Sequence, residues 1–158
     1  MLKHHILKHE LSKDDLDFRA AFEAGAFAPA AFSHRAHVRL AYVYLADCDV
    51  DLALERMRAA LVSFLSHHDI PASKYHETLT RSWLLAVNHF MHRTPMTSSA
   101  DDFIESNTVL LDAKIMLTHY SAGRLFSDEA RADFVEPDLD PIPRHGVRSV
   151  SPLTDLTR

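Results

Sequence analysis

Three long stretches of this 158-residue chain place their apolar side chains at helical spacing. In the first, His37, Val38, Ala41, Tyr44, Leu45 and Cys48 follow i, i+1, i+4, i+7, i+8 and i+11, one face of a 3.6-residue repeat. The second carries Leu54, Met57, Leu61, Phe64 and Leu65 on one face, with Glu55, Arg56 and Arg58 on the wet side. The third runs His76, Leu79, Thr80, Trp83, Val87 and Phe90. Apolar/polar alternation is nearly absent. The three glycines, Gly25, Gly123 and Gly146, are too few for many tight hairpins. The pattern predicts an all-α fold: an antiparallel helical bundle of the three long helices, closed by a preceding helix and short C-terminal helices.

Local signals set the expected boundaries. Ser12 caps a helix to about Ala24, with Asp14 and Asp15 in its first turn and Gly25 as its stop. Ser33 caps the next helix, and Asp49 or Asp51 the one after it. Pro71 disfavours helix at Ile70, and Ser73 is the expected cap of the fourth helix, to about His92. Residues 100–106 and 107–117 read as short helices, followed by helical turns over 121–126 and 128–134. From Glu136 onward four prolines and no sustained periodicity predict an extended or disordered tail. The expected organisation is one helical domain over 1–143 and a tail over 144–158, with residues 1–11 a short arm.

Seventeen Lys and Arg against 22 Asp and Glu give a net charge of −5, so no basic excess exists to neutralise a phosphate backbone, and nucleic acid is not an expected partner. No apolar run approaches the roughly 18 residues of a membrane span, so no membrane partner is expected. The single cysteine, Cys48, excludes an internal disulfide framework. Met1-Leu2-Lys3-His4-His5-Ile6 lacks the apolar core of a signal peptide, so a cytoplasmic location is expected. The isolated glycines cannot assemble a GxGxxG, Walker-type or GxSxG motif.

Chemistry concentrates in the histidines. His34 and His37 are three residues apart, neighbours on one helix face just after Ser33. His76 stands near the start of the fourth helix, and His119 comes from a separate segment. An imidazole on an apolar face needs a partner, and the positive end of a helix favours its neutral, metal-binding form. His34, His37 and His76 are therefore candidate ligands of a divalent transition metal (zinc, copper, iron or nickel), with His119 as a fourth. In such a site Glu77 is the candidate proton-transfer group, and Tyr75 or Tyr120 the candidate hydrogen-bond donor to substrate. The alternatives are structural hydrogen bonding of the rings, an i, i+4 pair of Glu77 with Arg81, and a solvated face for Arg35 and Arg39. His89 and His92 repeat the same spacing near a helix C-terminus, where positive charge is favoured, and are expected at the surface together with His4, His5, His9, His67, His68 and His145. His67-His68-Asp69 has the letters of an HD phosphohydrolase core, without a clear counterpart of its other ligands.

The segments Phe32-Ser33-His34-Arg35-Ala36-His37 and Lys74-Tyr75-His76-Glu77-Thr78-Leu79-Thr80-Arg81-Ser82-Trp83 resemble those of a family of small bacterial all-helical proteins, as do His119-Tyr120-Ser121 and the stretch from Leu125 to Leu139. The resemblance spans roughly residues 30–143 and implies a helical fold; it carries no activity with it. The theme of a bundle bearing histidines is also similar, at the level of fold, to DinB-like metal-binding bundles.

Two functions follow as expectations. One is a histidine-rich transition-metal site, in a metalloenzyme acting hydrolytically or oxidatively on a small molecule. The other is a metal-free module, either binding a small acidic or aromatic ligand or serving in interactions with structural histidines. A homo-oligomer is compatible with both.

Overall fold

In the computed structural model, which describes residues 9–145, every regular element is helical, and the described residues contain no strand. The α-helices are α1 (Lys13–Glu23), α2 (His34–Asp47), α3 (Val50–His67), α4 (Glu77–Arg93), α5 (Ala100–Ser106), α6 (Ala122–Leu125) and α7 (Asp128–Ala132). Short 3₁₀ turns at Pro29–Ala31, Ala72–Lys74, Thr108–Leu111 and Ala113–Thr118 connect them. The expected arm is described only from His9, and the expected tail only as far as His145. His4 and His5 lie outside the described residues.

The helix starts are chemical. Ser12 accepts the Asp15 N–H while the Asp15 carboxylate accepts the Ser12 N–H, a capping box that opens α1. Gly25, at φ +75, ends it, and no Cβ would fit there because the His67 ring lies 2.5 Å from where one would sit. Ser33 caps α2 and Asp49 caps α3. The fourth helix departs from expectation. Ser73 lies in a 3₁₀ turn, and α4 is capped by His76, whose Nδ1 accepts the Leu79 N–H at 3.1 Å. Likewise residues 107–117 are two 3₁₀ turns, because the chain turns extended at Asp112, whose carboxylate caps the second.

Helices α2, α3 and α4 pack mutually, and the two-residue link Cys48-Asp49 folds α3 back on α2. Their inward faces supply Leu40, Tyr42, Tyr44, Met57, Leu84 and Val87, all essentially inaccessible. Helix α1 closes one side through Phe18 and Phe22, with Phe22 stacked on Phe64 at a centroid distance of 4.5 Å. On the other side the short C-terminal elements add Leu110, Met116, Tyr120 and Leu125 to the same core. The segment after α7 is extended but not loose. Val135 and Ile142 are buried, and Thr78 holds the strand-like stretch by donating to the Asp133 carbonyl and accepting the Val135 N–H. Among the described residues no helix is long and apolar enough to cross a membrane.

Candidate functional site

The start of α2 lies across the start of α4, and the gap between them is floored by α3 and walled by the turns 29–32, 113–118 and 125–126. Two adjoining cavities occupy it, sharing Phe32, His37 and Leu79. The first, about 320 Å³, is lined mainly by Leu61, Phe64, Leu65 and Ile70, with Tyr75, His76, Thr80 and Lys74. The second, about 460 Å³, is lined by His34, Trp83, Met116, Leu117, Leu125 and Phe126, with Lys114. Leu117 and Phe126, 40% and 56% exposed, leave apolar surface at the mouth of the second. Together the cavities form an apolar groove whose charged lining side chains are two lysines, with no carboxylate among its walls.

His37 stands at the junction. Its ring packs against Phe32 and lies nearly parallel to that of His34, with centroids 6.5 Å apart. Among the described residues no protein group hydrogen-bonds to either of its ring nitrogens, in contrast with its neighbours. Loss of water around the ring, and secondarily the nearby His34, lower its pKa to about 4, so it is neutral at physiological pH. It therefore offers one N–H donor and one lone pair to whatever fills the groove.

The other candidate ligands have partners of their own. His34 donates from Nε2 to the Leu110 carbonyl at 2.9 Å and edges onto Trp83, which leaves only Nδ1 uncommitted. His76 uses both nitrogens, Nδ1 in capping α4 and Nε2–H on the Leu125 carbonyl at 2.8 Å. Burial, more than any charge, keeps it neutral. His119 lines neither cavity; its Nδ1–H donates to the Asp140 carbonyl and fastens the C-terminal segment. The structure thus brings His34, His37 and His76 to one groove and leaves His119 outside it. Among the described residues no group of three or more His, Cys, Asp or Glu side chains is arranged to hold a metal ion.

The proposed proton-transfer group is also engaged. Arg58 of α3 grips Glu77 through Nε at 2.9 Å and through Nη2, and the Tyr75 hydroxyl donates to the same carboxylate at 2.7 Å. The guanidinium holds the Glu77 pKa below the usual carboxylate range, against the opposing effect of burial. Tyr75, raised to about 12 chiefly by burial, lines the groove with its hydroxyl turned to Glu77. Tyr120 is wholly buried and spends its hydroxyl on the Val135 carbonyl. The expected Glu77–Arg81 pair does not form, and Arg81 lies over the Phe134 ring instead. Arg35 and Arg39 pair with Asp101 and Asp15.

Several groove residues carry no chemical signature in sequence. Phe32 and Leu79 read as ordinary core positions, and Lys74 and Lys114 as surface charge. His9, expected at the surface, is buried: Nε2–H donates to the Met91 carbonyl at 2.7 Å and Nδ1 accepts from Thr97. Among the described residues the closest gathering of imidazoles is at the far end of α4. There His145 stacks on His92 at 4.3 Å and meets the Nδ1 of His89 at 2.8 Å. No family model, curated protein or solved structure matches this chain.

Proposed function

We propose that the chain is a small-molecule-binding module whose ligand lies in the groove between the starts of α2 and α4. The carrying observation is His37, a neutral imidazole with unused hydrogen-bonding capacity at the junction of two apolar cavities. Their combined lining suits an elongated apolar body, and Lys74 and Lys114, with no opposing carboxylate, favour an acidic group on it. The ligand class is therefore an amphiphilic monoanion. His34 and Trp83 wall one end, Tyr75 and Thr80 the other.

A metal at the same place is the second reading. It is favoured by the uncommitted nitrogens of His37 and His34 Nδ1, one turn apart on α2. Two imidazoles are fewer protein ligands than a catalytic zinc site uses, so the bound molecule would have to complete the coordination.

Thermal denaturation with octanoate, octanol and octylamine, each with and without a chelator, separates the readings. The module reading expects octanoate to raise Tm most, unchanged by chelator. A shift abolished by chelator and restored by zinc or copper supports the metal. No shift with any of the three rejects the groove as an amphiphile site.

A further inference from the structure

A separate cavity of about 490 Å³ lies among α1, α2 and α3 and shares no residue with the His37 groove. Helices α1 and α2 cross it antiparallel. Arg19 reaches Asp47, and one turn further along α1 Glu23 reaches Tyr44, one turn earlier on α2. Helix α3 supplies Arg56 beside Asp47, then only Ala59, Ala60 and Ser63, whose short side chains leave the space open.

The charges in this space are held apart. Arg19 and Glu23 are four residues apart on α1, the spacing at which opposite charges ordinarily pair. Instead each has its own anchor. Arg19 Nη1 donates to Asp47 Oδ2 at 3.1 Å, and Glu23 Oε2 accepts from the Tyr44 hydroxyl. Arg56 leans on the same Asp47 oxygen at 3.6 Å, too long for a hydrogen bond, and among the described residues it donates no other. Glu23 is the last residue of α1, where the helix itself already contributes negative charge, and among the described residues no cation pairs with it. Burial, and then the adjoining carboxylate, push the Tyr44 pKa up, so its hydroxyl remains a donor. Tyr44 is itself only 1% exposed and so fixes Glu23 without meeting a ligand. The charged groups are reachable: Glu23 is exposed, and the side chains of Arg19, Arg56 and Asp47 are 23%, 47% and 41% exposed.

One pole of the cavity is thus a pair of guanidiniums sharing a single carboxylate oxygen, and the other is a carboxylate without a cation. A simple anion or a simple cation gains at one pole and loses at the other, whereas a molecule bearing both charges gains at both. The poles stand about one helical turn apart, roughly 5.4 Å. A few methylenes between ammonium and carboxylate match that separation better than the single carbon of an α-amino acid. We infer that the cavity is a second binding site, for a small ω-amino acid, whose carboxylate takes the unspent N–H groups of Arg56 and Arg19 while its ammonium meets Glu23. The methylenes lie along Ala59 and Ala60.

Calorimetric or NMR titration of the full chain with glycine, β-alanine, γ-aminobutyrate and 6-aminohexanoate, beside butyrate and butylamine, tests this. At least one of the three longer zwitterions is expected to saturate, with glycine, butyrate and butylamine each several-fold weaker. Arg56→Gln should weaken that zwitterion about tenfold, the scale of one charged hydrogen bond, without weakening butylamine. Glu23→Gln should weaken it by a similar factor without weakening butyrate. A merely structural role for either residue would not produce this opposite selectivity. His37→Leu should leave these affinities unchanged. The site is overturned by no saturable binding in the series, by equal affinity for glycine or a singly charged counterpart, or by a zwitterion affinity unmoved by either substitution. Arg56 is exposed and holds no hydrogen bond, so Arg56→Gln alone decides should Glu23→Gln fail to fold.

Discussion

His37 shows how one side chain is tuned by position. Its desolvated ring resists protonation, so its folded pKa of about 4 lies below the ordinary histidine value near 6.5. Between those values the unfolded chain binds the proton and the folded chain does not. Stability therefore falls as pH drops through that window, by at most about 3 kcal/mol once pH is below both values. Urea denaturation at pH 7.5, 5.5 and 4.5 should show this slope, and His37→Leu should flatten it. Glu77 contributes in the same sense at lower pH. Its depressed pKa gives stability that is present above the usual carboxylate value and lost as pH falls through the folded one. The carboxylate is nearly buried, whereas Arg58 is partly exposed. Arg58→Ala would leave it with only the Tyr75 hydroxyl, and a loss of about 2 kcal/mol is expected in chemical denaturation at pH 7.

At the scale of elements, Asp15 ties together more of the molecule than a capping residue ordinarily does. The residue is 1% exposed, and its carboxylate accepts from Ser12 N–H, from Arg39 of α2, and from the Ala100 N–H that opens α5. Asp15→Ala would leave a guanidinium and two backbone donors unpaired, so a cost of about 3 kcal/mol is expected, read as a shift in denaturation midpoint without a change in slope. The caps also show what is legible in sequence and why. Ser12 and Ser33 are legible, and the third cap is narrowed to Asp49 or Asp51, because a capping side chain bonds only two or three residues away. His76 is not, because imidazole is not among the usual capping groups and Ser73 offers a better local match. His9 carried no local signal at all: its partners Met91 and Thr97 lie more than eighty residues along the chain. The partner of Glu77 is equally non-local: Arg81 satisfies the i, i+4 rule, whereas Arg58 reaches the carboxylate from α3. The candidate site was readable to the extent that it is local. The His34–His37 pair follows from helix geometry, whereas the placement of His76 beside it, and the groove itself, depend on how the helices pack and where the turns at 29–32 and 113–118 fall.

For the molecule as a whole, the C-terminal segment is a strap across the bundle, fixed by a few polar ties and two apolar plugs. Thr78, fully buried in α4, supplies two of those ties, to Asp133 and Val135. Thr78→Val is nearly isosteric and removes both. A loss of about 1–2 kcal/mol is expected, with amide exchange accelerated most at Val135 while the α2–α3–α4 core keeps its protection. The last described residue of the strap, His145, lines a cavity beside Asn88, while the short turns before the strap help wall the groove at His37. The three long helices form the scaffold, and the irregular connections decide what that groove can hold.

The central claim is that a ligand enters the groove at His37. Titrating octanoate into the full chain while following the histidine ring proton–carbon resonances tests it most directly. Saturable shifts led by His37 are expected, with smaller ones at His34, none at His145, and loss of binding in Leu79→Trp, which fills the junction. Shifts confined to other histidines, or a His37 resonance unmoved at saturation, would contradict it.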